Sequence, residues 1–231
     1  MRVNSTRVGG GVAEILQRMV PLNPLSEKNR PLTPAEIAGI LATLGVATDK
    51  PLLVQVSRFD RFKDPLGVIA AYRLVERHHD VRLVLAGGSA PDDPEGASVL
   101  AEVRAAAGSD PDIVVLDLPP DAHAAINALQ RAATIVLQKS TREGFGLTVA
   151  EAMWKGRPVI GGHVGGITVQ VLDGVTGYTV TSPEEAAARA CHLLEHPEEA
   201  RAMGERGREH VRQHFLITRH LHDYLGLLRT P

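Results

Sequence analysis

The chain has 231 residues, of which 44% are hydrophobic and 3% aromatic, and its formal net charge is -2 at pH 7. A chain of this length forms one large domain or two small ones, and its aliphatic side chains are numerous enough to build a core. The small net charge argues against electrostatic capture of nucleic acid or of an anionic membrane.

The first residues predict a strand end, a glycine-rich turn at residues 9–11 and the opening of a helix, and prolines from Pro21 onward indicate a linker. A second helix is predicted to begin after Thr33, because Pro34 and Glu36 follow this residue at the spacing of a capping box. Gly45 is expected to end the helix, since glycine accepts the left-handed backbone of a C-terminal cap.

From Pro51 onward, short continuous apolar runs alternate with segments of helical spacing. The apolar runs predict strands at PLLVQVSR, VRLVLAG, DIVVLDL, ATIVLQKS, RPVIGG and GYTV. Helices are predicted at LGVIAAYRLVERH, SVLAEVRAAAG, HAAINALQRAA and LTVAEAMWKG, and throughout the tail after Thr181. Strands without alternation are covered on both faces, so the pattern predicts an α/β fold with a doubly wound parallel sheet and a helical C-terminal tail.

Ligands of such a sheet bind at the carboxyl ends of the strands, in the loops that follow the apolar runs. The most specific loop is EGFGLTVAE: Glu143 precedes a Gly-Phe-Gly turn, a helix opens near Leu147, and Glu151 lies one to two turns inside it. The free N–H groups of the helix start form an anion cradle between two carboxylates. This arrangement suits a ligand with central phosphates and hydroxyl groups at both ends, such as a sugar nucleotide. For each glutamate alone, stabilisation by the helix dipole is the competing interpretation.

The loop SRFDRFKDP follows the first strand of the predicted sheet and carries Arg58 and Lys63. Arginine binds a phosphate in a bidentate manner and lysine adds a point charge, so the pair predicts a diphosphate contact. The competing interpretation is a solvated surface loop. Phe59 and Phe62 are interpreted as packing residues rather than as platforms for a base.

Other polar residues give weaker signals. His163, in the loop GHVGGIT, is interpreted as a surface or capping residue, whereas Gly165 and Gly166 are expected to let the backbone approach a ligand. The acidic run at residues 91–96 lacks the spacing of a calcium site, and no histidine pair has the spacing of a zinc site. The spacing of these residues therefore predicts no metal site.

Together, Arg58, Lys63 and the segment from Glu143 to Glu151 resemble the signature of the retaining GT-B glycosyltransferases. More narrowly, several strings resemble the trehalose synthases, a family that joins glucose from a nucleotide-glucose donor to free glucose. These strings are VNSTRVGGGVAEIL, PLSEKN, SRFDRFKDP, DDPEG, INALQRA, REGFGLTVAEAMWKGRPVIG and FLITRH. The resemblance therefore extends along nearly the whole chain.

The resemblance implies two Rossmann-like domains that face a cleft, of which this chain carries the C-terminal, nucleotide-sugar-binding half. Residues 1–22 are expected to be a remnant of the N-terminal domain, residues 23–50 a linker and helix, and residues 51–231 the donor-binding domain with its C-terminal helices. Most of the N-terminal domain, which supplies the acceptor site in the family, is expected to be missing.

The resemblance also implies roles for the site residues. Glu143 would contact the donor glucose, Glu151 would contact the ribose, and Arg58 with Lys63 would hold the diphosphate and stabilise its departure. We count Arg58, Lys63 and Glu143 as the catalytic residues. Because the two cations would stabilise the departing diphosphate, the resemblance also implies that no metal or other cofactor is required. The full expected donor site is Gly9, Gly10, Gly11, Arg58, Lys63, Glu143, Gly144, Phe145, Gly146, Leu147 and Glu151.

The expected function is transfer of glucose from UDP-glucose or ADP-glucose to glucose, which forms trehalose, with activity impaired by the truncation. One alternative is a non-catalytic module that binds the nucleotide sugar, and another is a retaining glucosyltransferase of the sucrose or glycogen synthase type. The expected partners are the nucleotide sugar and glucose, without nucleic acid or membrane, and a homodimer stays open. The single cysteine, Cys191, and the absence of a long apolar run predict a cytoplasmic protein.

Overall fold

The computed structural model describes residues 22–88, 94–219 and 221 of the chain. The predicted glycine turn, Gly9, Gly10 and Gly11, and the helix after it lie outside the described residues, as do residues 222–231 at the end of the predicted helical tail.

The centre of the fold is a six-stranded sheet in which all neighbouring strands are parallel. Its strands are β1 (Leu52–Val56), β2 (Arg82–Gly87), β3 (Ile113–Asp117), β4 (Ile135–Gln138), β5 (Val159–Gly162) and β6 (Tyr178–Val180). Their order across the sheet is β3-β2-β1-β4-β5-β6, the order of a Rossmann sheet. All six strands lie where the apolar runs predicted them, so the predicted parallel sheet is confirmed.

Helices flank this sheet. Within the described residues they are α1 (Pro34–Thr43), α2 (Pro65–Val75), α3 (Pro94–Ala107), α4 (His123–Ala132), α5 (Leu147–Trp154), α6 (Ile167–Gln170), α7 (Pro183–Glu195) and α8 (Pro197–His214). One turn of 3-10 helix, Arg61–Lys63, precedes α2. Helix α2 ends earlier than the sequence pattern predicted, because the N–H groups of His78 and His79 both turn back to the carbonyl of Val75.

Each face of the sheet carries its own apolar core. Val103 of α3 and Leu193 of α7 belong to the core on one face, and Met153 of α5 belongs to the core on the other. Adjacent strand residues serve opposite cores, as Leu53 points to the first and Val54 to the second. Two cores explain why the strands are apolar throughout rather than alternating.

Helix α1 confirms the predicted capping box. The hydroxyl oxygen of Thr33 accepts a hydrogen bond from the backbone N–H of Glu36 at 3.2 Å, and the Glu36 carboxylate accepts one from the backbone N–H of Thr33 at 2.7 Å. Gly45 follows the helix with a φ of 68°, the left-handed conformation expected of a terminating glycine.

The strand order reverses between β1 and β4, which pair directly in the middle of the sheet. The crossovers that leave these two strands therefore diverge, and a crevice opens at their carboxyl ends. The loops that border this crevice are those of Arg58 with Lys63 and of Glu143 with the following Gly-Phe-Gly turn.

Candidate functional site at the carboxyl edge of the sheet

The loops after β1 and β4 touch each other above the crevice. The backbone N–H of Thr141 donates to the carbonyl of Phe62 at 2.8 Å, and the guanidinium of Arg142 lies 4.8 Å from the centre of the Phe62 ring. Phe62 is 46% exposed, so it lines the surface beside the crevice, whereas Phe59 is buried in the core as predicted. The contact brings together two loops that are distant in sequence.

Lys63 is held at three points. Its backbone N–H donates to the Asp60 carboxylate at 3.0 Å, and its carbonyl accepts from the Gln55 side chain at 2.7 Å. Its ammonium group donates to Oε2 of Glu143 at 2.6 Å, and the two side chains are only 17% and 10% exposed. Two residues 80 positions apart in sequence, both predicted as site residues, therefore meet in one ion pair.

Glu143 has further polar neighbours besides this lysine. Its Oε1 accepts a hydrogen bond from the backbone N–H of Gly144 at 3.1 Å, and its Oε2 lies 3.5 Å from the hydroxyl of Ser140. These contacts orient the carboxylate within the crevice.

The residue after Lys63 is held by a lysine that the sequence did not single out. Asp64 has a φ of 48°, and its carboxylate both caps α2 through the N–H of Gly67 and pairs with the buried Lys139 at the end of β4. A left-handed backbone costs free energy in a residue with a side chain, so it needs such support. The pair between Lys139 and Asp64 thus fixes the turn that carries Lys63.

Arg58 differs from Lys63 in its exposure. Its side chain is 64% exposed, and its guanidinium lies 3.1 Å from the carboxylate of Asp60. The two predicted diphosphate residues therefore share one loop, but only Lys63 lies within the crevice in contact with Glu143.

Helix α5 begins at Leu147 as the sequence predicted. Its N-cap residue, Gly146, has a φ of 85°, and no side chain caps the helix. The ring of Phe145 packs edge-on against Phe215 at 6.0 Å between ring centres, which anchors the turn to the end of α8. A helix start that no side chain caps is suited to an anion.

Gly165 and Gly166 lie against the backbone of the turn before α5, and their predicted approach to a ligand stays a prediction. A Cβ at Gly165 would lie 1.9 Å from the carbonyl oxygen of Glu143, and one at Gly166 would lie 2.4 Å from that of Phe145. The N–H of Gly166 donates to the carbonyl of Gly144 at 2.9 Å. These glycines let the loop after β5 pack against the turn before α5, so the close approach is to protein backbone.

Glu151, on α5, is the least satisfied polar residue near the crevice. It is only 6% exposed, and its buried Oε2 has no hydrogen-bond partner within the described part of the chain. Burial raises the pKa of this carboxyl, and the positive charges of Lys155, Lys28 and His123 act in the opposite direction. A buried acceptor without a donor is costly, and a ligand hydroxyl would satisfy it.

The remaining predictions concern histidines and metals. Nδ1 of His163 lies 3.1 Å from the hydroxyl of Thr179 on an exposed surface. Among the described residues, no group of three or more His, Cys, Asp or Glu side chains is arranged to hold a metal ion. Within the same part of the chain, no helix combines the length and the apolar character needed to cross a membrane.

Sequence reasoning missed Lys139, Asp64 and Lys155. The signal for Lys155 was present, since a lysine four residues after Glu151 on a mostly apolar helix falls on the same face as this glutamate. The pairing of Lys139 with Asp64 had no sequence signal, because 75 residues separate the two partners.

Known proteins share this sequence and fold. A family model described as glycosyl transferases group 1 matches residues 40–210. The trehalose synthase of Pyrococcus horikoshii is 47% identical over 211 residues, which are 90% of this chain and 51% of that protein. The chain thus spans about half the length of this and of three other curated trehalose synthases that it matches.

Solved structures agree with this likeness. The sucrose-phosphate synthase from Thermosynechococcus elongatus is 28% identical with a TM-score of 0.72, and the match covers 90% of this chain and 50% of that one. The Alr3699/HepE protein of Anabaena in complex with UDP-glucose is 23% identical with a TM-score of 0.73, and that match covers 87% of this chain and 54% of the other.

Proposed function

We propose that this chain, which belongs to the glycosyl transferases group 1 family, binds UDP-glucose or ADP-glucose at the carboxyl ends of β1 and β4 and serves the transfer of its glucose to a second glucose, which forms trehalose. The observation that carries the proposal is the ion pair of Lys63 with Glu143, which lies beside the uncapped start of α5. A cation, a carboxylate and free N–H groups at one crevice match a ligand that carries both phosphates and sugar hydroxyls.

The diphosphate would replace Glu143 as the partner of Lys63. The backbone of Lys63 is already fixed by Asp60 and Gln55, so only its side chain has to be ordered when the ligand binds. The N–H groups at the start of α5 would receive the phosphate oxygens, and the exposed guanidinium of Arg58 would close over them from the solvent side.

The two glutamates would hold the two ends of the donor. Released from Lys63, the Glu143 carboxylate would accept hydrogen bonds from hydroxyl groups of the donor glucose. On α5, Oε2 of Glu151 lacks a donor in the described structure and would accept from the ribose hydroxyls. Satisfying this buried oxygen makes nucleoside recognition favourable.

In the proposed reaction, the bond from the anomeric carbon of the donor glucose to the phosphate oxygen breaks, and the acceptor hydroxyl forms the new bond on the same face. The acceptor proton passes to the departing phosphate oxygen, so a nucleoside diphosphate and trehalose result. Negative charge grows on the diphosphate as the bond breaks, and Lys63, Arg58 and the α5 start would stabilise it.

Two similarities support this choice of substrate. The Pyrococcus horikoshii relative is a trehalose synthase, and the Anabaena protein of the same fold was solved with UDP-glucose. The alternative to be tested is a donor-binding module that does not catalyse transfer.

Calorimetry with UDP, ADP, UDP-glucose and ADP-glucose tests donor binding, and trehalose released from nucleotide-glucose plus glucose tests transfer. We expect binding of at least one nucleotide-glucose. Binding heat in calorimetry without release of trehalose would favour the binding module. A folded sample that binds none of the four ligands would contradict the proposal.

A further inference from the structure

The segment of residues 22–31, here called the linker segment, is docked on α4 and α5 through polar contacts. Asn127 of α4 donates to the carbonyls of Glu27 at 2.8 Å and Arg30 at 2.9 Å. Arg131, one turn further on, donates to the carbonyls of Asn29 at 3.1 Å and Arg30 at 2.9 Å. Two side chains thus satisfy three backbone carbonyls. These carbonyls lie in an irregular segment, where neither a helix nor a sheet supplies hydrogen-bond donors.

Lys155 is the centre of this docking. Its ammonium group donates to the Asn29 side chain at 2.9 Å, to the Gln130 side chain at 2.8 Å and to the carbonyl of Glu151 at 3.2 Å. The three acceptors belong to the linker segment, to α4 and to α5, and Lys155 itself is buried. One buried cation therefore joins three separate parts of the chain.

The side-chain amide of Asn29 is oriented so that its oxygen faces this cation. Its side-chain N–H groups donate to the carbonyl of Asn23 at 2.9 Å and to the hydroxyl of Ser26 at 3.1 Å, so its oxygen is left for Lys155. This accounts for the motif PLSEKN, which folds into a turn that presents one buried acceptor. A buried polar network of this kind contributes specificity of arrangement more than stability.

The docked segment lies beside the donor site. Lys155 is one helical turn after Glu151, and the charge of Lys28, the neighbour of Asn29, acts on both Glu151 and Lys155. We propose that Lys155 is a positioning residue: through Asn29 it docks the linker segment onto α4 and α5, and this docking forms the nucleoside end of the donor site around Glu151. The second half of the proposal rests on the proposed function, whereas the first half does not.

Electrostatics gives the docking a measurable signature. Burial lowers the pKa of Lys155 to about 7, and burial raises the pKa of Glu151. The cations that face Glu151 are Lys155 on its own helix, Lys28 on the linker segment and His123 on α4. Removal of the Lys155 charge raises the pKa of Glu151 further, so binding that needs the ionised carboxylate shifts to higher pH.

The first experiment measures docking without a ligand. Trypsin cleaves after Lys28, and the Arg30–Pro31 bond resists it. We expect Lys155→Met and Asn29→Ala each to accelerate this cleavage on the order of tenfold, because each removes a charge-assisted hydrogen bond that closes the segment. Val103→Ala, in the core on the opposite face of the sheet, controls for a general loss of stability. If Lys155→Met and Asn29→Ala are both cleaved at the wild-type rate, Lys155 does not dock the linker segment and the proposal is overturned.

The second experiment measures UDP and ADP affinity as a function of pH, from acid to neutral pH and above. Asn29→Ala is expected to lower the affinity with an unshifted midpoint, whereas Lys155→Met moves the midpoint to higher pH. A purely structural lysine would not move the midpoint, so an unshifted midpoint with wild-type affinity in Lys155→Met would overturn its role at Glu151. If the wild type binds neither nucleotide, the proposed function fails, and the cleavage experiment still decides the docking.

Discussion

The two edges of the sheet differ in how completely their polar and charged groups are paired. At the amino edge, Arg82 binds the carboxylates of Asp49 at 2.5 Å and Asp112 at 2.8 Å, and Lys50 binds Asp112 at 2.6 Å and Asp80 at 2.7 Å. At the carboxyl edge, Lys63 pairs with Glu143, but Oε2 of Glu151 has no hydrogen-bond partner among the described residues. No side chain in this part of the chain caps the start of α5, and Arg58 extends into solvent.

This difference separates a region whose charges the protein pairs by itself from one that the proposed donor would complete. Hydrogen bonds from Lys50, and from Arg82, lower the pKa of Asp112, whereas burial raises the pKa of Glu151. The first carboxylate is therefore stabilised in its charged form by folding, and the second is destabilised in it. Ligand sites are a common place for such unsatisfied groups.

The largest expected effect is at Lys63. Lys63→Met removes the crevice ammonium group, and we expect UDP or ADP affinity to fall by roughly 10-fold to 100-fold, the loss of one charge-assisted contact. Uridine and adenosine should bind as before, which calorimetry can compare.

Arg61→Met is the matched control, because Arg61 lies on the same 3-10 turn but its guanidinium binds Glu102 at 2.7 Å. Equal losses for nucleoside and nucleoside diphosphate in Lys63→Met would show that Lys63 does not meet the phosphates.

Asp112→Ala should remove the ion pairs of Asp112 at the amino edge and leave the site at the carboxyl edge unchanged. Arg82 and Lys50 both lose an acceptor, so we expect the unfolding temperature to fall by roughly 5 °C while nucleotide affinity is unchanged. Thermal denaturation followed by circular dichroism measures the first quantity.

Asp80→Ala supplies the comparison at the same edge. The Asp80 side chain is 79% exposed and binds Lys50 at the surface, so its loss should change the unfolding temperature by less than roughly 2 °C. Similar losses in Asp80→Ala and Asp112→Ala would contradict the view that the buried pairs carry the stability.

Glu151→Gln should stabilise the fold, whereas Asp112→Ala destabilises it. Because the folded-state pKa of Glu151 is raised, the folded protein binds the proton more tightly, and stability falls as pH rises from the unfolded pKa through the folded one. The variant should therefore be more stable than the wild type at pH 7, by less than Asp112→Ala loses, and should bind nucleotides more weakly.

The pH dependence separates this effect from repacking. The stability difference between Glu151→Gln and the wild type should vanish below about pH 4, where the carboxyl is protonated in both states. A difference that persists at pH 4 would mean that the variant acts through packing.

Glu143→Gln should give the smallest and most selective effect. The variant no longer competes with a diphosphate for Lys63, so UDP or ADP affinity should rise about threefold, while the preference for the nucleotide-glucose over the nucleoside diphosphate falls. Calorimetry of each pair on the same sample measures both numbers. A parallel loss for both ligands would instead place Glu143 against the diphosphate.

Much of the fold followed from local patterns. The strands, the capping box at Thr33 and the start of α5 at Leu147 depend on side chains within a few residues, and each lies where the sequence placed it. The strand-end rule also directed attention to the loops of Arg58, Lys63 and Glu143, which the structure brings to one crevice. Short-range propensity and strand-end topology are sufficient for such predictions.

The tertiary structure decided how those residues are used. Burial of Glu151, the pairing of Lys139 with Asp64, and the contact of Lys155 with Asn29 across 126 residues all depend on which segments the sheet brings together. The spacing of Gly165 gave no indication that its neighbour would be a carbonyl of the protein. The physical reason is that solvation and pairing of a polar group are set by its neighbours in space, and local sequence fixes only its neighbours along the chain.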